Sequence, residues 1–69
     1  MTGRLTTKTW TSKEIRALRE FLRLYQEGFA RLVGVDVNTV SKWETGLREP
    51  TLPNKAELDR IAGESGFKA

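Results

Sequence analysis

Four positions constrain this chain more than any others: Ala30, Gly34, Val40 and Trp43. Two short helices that cross steeply need a small side chain where the first passes under the second, and Ala30 supplies it. The tight turn between them needs a residue at home at positive φ, and Gly34 adopts that conformation without steric cost. Val40 and Trp43 lie three apart and so share the inner face of the following helix. Apolar Phe29, Leu32, Val33 and Val35 fill the positions between. The spacing predicts one helix over about 26–33 and another capped by Asp36 and closed by Gly46. The opposite face of the second helix carries Val37, Asn38, Ser41 and Lys42.

The flanking sequence is helical too. Thr11 followed by Glu14 reads as a capping box, and Trp10 with Ile15 occupies the positions of a hydrophobic staple. A helix is predicted over about 12–23, with Ile15, Leu18, Phe21 and Leu22 inward and Arg16, Arg19, Glu20 and Arg23 on its other faces. Tyr25 stands where a capping Ser or Thr is usual, and Gly28 reads as a tolerated glycine at an exposed position. Trp43 is expected in the core and Trp10 to be the more exposed of the two. A last helix is predicted to start near Pro53 or Asn54, with Asn54 and Glu57 as a capping box and Leu58, Ile61 and Ala62 inward. Gly63 and Gly66 are expected to loosen the chain, leaving Phe67 in a weakly helical tail. The expected fold is therefore all-α, a compact bundle of four to five short helices. Residues 1–9, with Arg4 and Lys8, are expected to form a disordered basic tail, and residues 10–69 a single domain.

At 69 residues the chain has a marginal core, since a domain this small buries only about 60% of its unfolded surface. The absence of Cys and His excludes disulfides, thiolate chemistry and the usual zinc ligands. No cofactor or metal is expected, and no small-molecule ligand is evident. Asp36, Asp59 and the glutamates fit caps and surfaces better than a paired-carboxylate site, and Ser41 has no neighbouring base, so catalysis is not expected. No run approaches the roughly 20 apolar residues of a membrane span, and a cytoplasmic location is expected. Residues 1–50 hold nine Lys and Arg against six Asp and Glu, whereas residues 51–69 hold three of each. The positive excess thus accompanies the paired helices, as attraction to phosphate requires.

The run Gln26-Glu27-Gly28-Phe29-Ala30-Arg31-Leu32-Val33-Gly34-Val35, then Val40-Ser41-Lys42-Trp43-Glu44-Thr45-Gly46 and Pro50, resembles the Cro/repressor-type helix-turn-helix family. The resemblance extends from about Ile15 to Ile61. It implies a lambda-repressor-like bundle whose third helix enters the major groove of double-stranded DNA. It also implies base contacts from Val37, Asn38, Ser41 and Lys42, and sugar–phosphate contacts from Gln26, Thr39, Thr45 and Arg48. Glu44 would pair with Arg19 of the first helix and tie the third helix to the scaffold. The chemistry of these residues agrees independently. Asn pairs bidentately with adenine, Lys donates to guanine O6 and N7, and Val packs on a thymine methyl. Val37, a β-branched apolar residue at an exposed first turn, has little structural purpose there.

These readings predict a sequence-specific transcriptional regulator, a small repressor or Cro-like phage or prokaryotic switch protein that acts by occupying its operator. An antitoxin that binds both a toxin and its own promoter is the alternative. A recombination-directionality factor that bends DNA is a third. The expected partners are duplex DNA and a second copy, as a weak homodimer or a pair formed on DNA. Leu52, Leu58 and Phe67 are the candidate contact residues for that pairing.

Overall fold

The computed structural model describes residues 10–67, which form α1 (Ser12–Phe21), α2 (Gln26–Val33), α3 (Val37–Thr45) and α4 (Leu52–Ser65). No strand is present among these residues. The all-α bundle is therefore the observed architecture, with four helices. The expected segment 1–9 lies outside the described residues.

The start of α1 follows its sequence signal. The Thr11 hydroxyl accepts from the Glu14 N–H at 3.2 Å, and Glu14 Oε1 accepts from the Thr11 N–H at 3.2 Å. Its end departs from expectation. The helix stops at Phe21, because Arg23 takes φ 60°, in the left-handed region. The Arg23 N–H donates to the Glu20 carbonyl at 3.0 Å and the Leu24 N–H to the Arg19 carbonyl at 3.2 Å. This reversed pair of bonds is a Schellman closure made with arginine in place of glycine.

Ile15 and Leu18 of α1, Phe29 of α2, Val40 and Trp43 of α3 and Leu58 of α4 are fully or almost fully buried and form the centre of the core. Each such side chain contributes about 1.5–3 kcal/mol through burial. α3 packs on α2 and α1, and α4 rests on α2. Ala30, also buried, lets α2 and α3 approach.

Several expectations require correction. Trp10 is buried almost as fully as Trp43, 3% accessible against 2%, so the expected contrast between the two nearly vanishes. Its Nε1–H donates to Asp59 Oδ1 at 2.8 Å, which lets the indole sink into the core while its polar edge stays bonded to α4. Phe21 is half exposed, and its ring lies against Phe67 at a centroid distance of 5.3 Å. α4 starts at Leu52, capped by Thr51, whose hydroxyl accepts from the Asn54 N–H at 3.4 Å. Pro53 fits that first turn because its missing N–H is not needed there. Glu57 bonds to Arg60 and forms no capping box. Gly63 continues the helix, and only Gly66, at φ 82°, ends it. Gly28 is half-buried, with Leu24 Cδ2 3.3 Å from where its Cβ would stand. Leu58 is wholly buried and Phe67 packs against the core, so of the three candidate pairing residues only Leu52 is exposed.

The left-handed Arg23 gives a direct test. A residue with a Cβ pays about 1–2 kcal/mol in that conformation. Arg23→Gly is expected to raise stability by about 1 kcal/mol, less the glycine's larger unfolded-state entropy. Urea denaturation read by circular dichroism checks it, and a fall in the midpoint counts against the argument.

Candidate nucleic-acid interface

The turn that presents α3 is built as its sequence requires. Gly34 has φ 92°, and the N–H groups of Gly34 and Val35 both reach the Ala30 carbonyl, at 2.8 and 2.9 Å. The Asp36 carboxylate then accepts the Asn38 N–H at 3.0 Å and caps α3. Val40, Trp43 and Glu44 face inward. The remaining face turns outward, and it holds the predicted contact residues.

Asn38 and Lys42 are exposed, and neither side chain makes a hydrogen bond or ion pair among the described residues. Ser41 and Thr39 are half-buried. Val37 is also half-buried and packs against the core, so it has a structural purpose that the sequence reading denied it. The Thr45 hydroxyl is turned back on its own helix, donating to the Ser41 carbonyl at 3.0 Å. Arg48 is exposed in the loop beyond, its backbone N–H bonded to the Lys42 carbonyl at 3.2 Å.

Behind this face stands a charged network centred on Glu44, whose side chain is 2% accessible. Arg19 grips it as a fork, Nε to Oε2 at 2.7 Å and Nη2 to Oε1 at 3.1 Å. The remaining nitrogen, Arg19 Nη1, donates to the Leu24 carbonyl at 3.0 Å, fixing the α1–α2 loop. Gln26 Nε2 donates to Glu44 Oε1 at 3.1 Å, and Arg16 Nη2 to the Glu44 backbone carbonyl at 3.1 Å. One carboxylate thus joins α1, α2 and α3. The expected Arg19–Glu44 pair is present. The sequence reading missed Arg16 and the inward bond of Gln26. Arg16 lies three residues before Arg19 and so on the same face of α1, which was the available signal. Gln26 keeps its second amide N–H and its carbonyl oxygen without partners among the described residues.

Burial alone would push the Glu44 carboxyl up. Hydrogen bonds from Arg19 and Gln26, with the charges of Arg19 and Arg16, outweigh it and hold the group below its ordinary value. The hydrogen bond to Glu44 correspondingly raises Arg19, against the cost of burial. No buried side-chain polar atom is left unsatisfied among the described residues. The same residues contain no group of acidic, His or Cys side chains able to hold a metal, and no helix long and apolar enough to cross a membrane.

A left-handed glycine between α2 and α3, with an outward polar face on α3, defines a helix-turn-helix protein. A family model described as Helix-turn-helix matches residues 15–64, and the chain belongs to that family, of the Cro/C1 type. A search of curated proteins finds no match to the chain. The family is one of DNA-binding regulators and is not typically enzymatic. Membership supports a DNA-binding transcription regulator in general, with double-stranded DNA as its partner.

Glu44→Ala removes the acceptor of two side chains, Arg19 and Gln26, and leaves Arg19, 15% accessible, without its counter-charge. The expected loss is about 3 kcal/mol, at the lower end of the range for breaking a buried pair because Arg19 retains some solvent. Thermal melting checks it: an unchanged melting temperature would show that the pair contributes nothing. The pH dependence has a definite sign. The folded-state value of Glu44 lies below the unfolded one, so its contribution is complete above the usual carboxylate range near about 4.3 and is lost as pH falls through the lower folded value. Wild-type stability is expected to hold from neutrality to about pH 5 and then to drop, whereas Glu44→Gln starts lower and declines less steeply. Glu57, held low by its hydrogen bond to Arg60, titrates in both proteins and cancels in the comparison.

Proposed function

We propose that this protein is a sequence-specific reader of duplex DNA, a small repressor or Cro-like switch protein of phage or prokaryotic origin, which blocks transcription by occupying its operator. The observation that carries this reading is the division of α3 into two faces. One is immobilised by Val40, Trp43 and the Glu44 network. The other offers Asn38 and Lys42 with no internal partner among the described residues. Two exposed donors carried on a fixed helix and engaged by nothing within the fold are free to meet an external acceptor. Asn38 and Lys42 are four apart and project together, as neighbouring base pairs in a major groove require.

In this reading Asn38, Lys42, Ser41 and Val37 meet base edges. Gln26, Thr39, Thr45 and Arg48 hold the sugar–phosphate backbone. The inward bond of Gln26 still leaves one N–H for a phosphate, and Thr45 would release its helix carbonyl to reach one. Two copies would pair weakly or only on DNA, with α3 helices about 34–36 Å apart in successive major grooves. The site of action is the cytoplasm, at the nucleoid.

Selection of duplexes from a random library at two salt concentrations tests the proposal. An enriched inverted repeat whose affinity falls steeply with salt is expected. No enrichment over non-specific binding would remove it and turn attention to a protein partner. On the enriched duplex, Asn38→Ala and Lys42→Ala are each expected to cost about 1–3 kcal/mol of binding and to relax specificity at one base pair. Their melting temperatures should stay near that of the wild type, since neither side chain is bonded within the fold.

A further inference from the structure

The Glu44 network holds one more positive charge than it consumes. Arg19 commits all three nitrogens of its guanidinium, two to the carboxylate and one to the Leu24 carbonyl. Its charge cancels that of Glu44. Arg16 is different. Its Nη2 bonds to the Glu44 backbone carbonyl at 3.1 Å, while its Nε stands 3.7 Å from Glu44 Oε1, beyond hydrogen-bond range. Its Nη1 has no partner among the described residues, and the side chain is 50% accessible. The result is a guanidinium held in place by neutral and spent acceptors, with unused donors facing water and an uncompensated charge.

Its position matters as much as its charge. The carbonyl it holds belongs to the last turn of α3, and the Arg48 N–H bonds to the Lys42 carbonyl of that same turn. Arg16 and Arg48 therefore flank one end of the helix that carries Asn38 and Lys42. Ser12, one turn earlier on the same face of α1, lines a shallow cleft with Gly46, Arg48 and Glu49. A planar guanidinium fixed in advance binds phosphate with less loss of side-chain entropy than a free surface arginine.

We propose that Arg16 of α1 is a further DNA-backbone contact, a phosphate-binding residue pre-oriented by Glu44 at the end of α3. This rests on the reading of α3 as a DNA-reading helix. Glu44 thereby serves two roles: its carboxylate locks α3 to the scaffold, and its carbonyl aims Arg16.

The test measures affinity against salt for the full chain on the duplex enriched by the selection, with melting temperatures alongside. Arg16→Met keeps helix propensity and removes the charge. It is expected to reduce the slope of log affinity against log salt by about 0.9, which amounts to about 3.5-fold less loss of affinity over a fourfold rise in salt. Arg16→Lys should keep most of the slope. Arg60→Met, on α4 and paired with Glu57 and Glu64, should leave it unchanged. If Arg16→Met is too unstable to bind, Arg16→Gln, which retains an amide donor for the Glu44 carbonyl, makes the same comparison. An unaltered slope with a lowered melting temperature would make Arg16 a structural cap only. An equal fall in Arg60→Met would reduce the effect to overall charge. Either overturns the proposal while leaving DNA binding intact, whereas a wild type that binds no duplex overturns both.

Discussion

The structure depends on the burial of one carboxylate. Glu44 sits at the inner edge of α3, almost wholly removed from solvent, where an unpaired charge would cost several kcal/mol. It is tolerable only if donors arrive from elsewhere, and they arrive from two other helices, Arg19 from α1 and Gln26 from α2, with the charge of Arg16 close by. Arg19 also reaches the Leu24 carbonyl, so the loop between α1 and α2 is fixed by the same side chain. Moving any of these three helices by more than about an ångström would strand the charge, because hydrogen bonds weaken steeply outside their narrow distance range. In this protein the polar knot sets the geometry that an apolar core of modest size would leave loose.

The apolar contacts do a different task. Phe29, Val40, Trp43, Leu18 and Leu58 provide the burial that holds the chain folded, and such contacts are largely indifferent to small rotations. Ala30 and the left-handed Gly34 determine how closely α2 and α3 approach and where the chain turns. Stability therefore comes mainly from the core, while angular precision comes from the turn and the Glu44 network. A helix that must offer Asn38 and Lys42 at a fixed orientation needs the second as much as the first.

The polar side chains on this half of the molecule fall into those that are committed and those that are not. Arg19 and Thr45 are engaged within the fold. Gln26 and Arg16 are half-engaged, each giving a donor to Glu44 and keeping others free. Asn38, Lys42 and Arg48 make no side-chain bond among the described residues. The half-engaged pair accounts for how a single buried residue can both stabilise the fold and orient groups at its surface.

Much of this was legible from residue types and spacing. The Thr11–Glu14 box, the Asp36 cap, the turn at Gly34 and the inward set Ile15, Leu18, Val40, Trp43 and Ile61 are local or periodic, and each rests on interactions between residues a few positions apart. The Arg19–Glu44 pair was available only through resemblance, since 25 positions separate its members. What tertiary structure alone decided involves contacts that no local rule encodes. Arg23 takes the left-handed conformation, without glycine's advantage, beside a loop whose Leu24 carbonyl is held by Arg19, itself fixed by Glu44 from α3. Trp10 is buried because Asp59, 49 residues away, accepts its indole N–H. Val37 is half-covered, and Phe21 lies against Phe67, for the same kind of reason. Sequence by itself determined the four helices, the N-terminal caps of α1 and α3 and the turn, because those energies are local; the choice of partner for each long side chain was made by the fold, because it depends on what the other helices bring near.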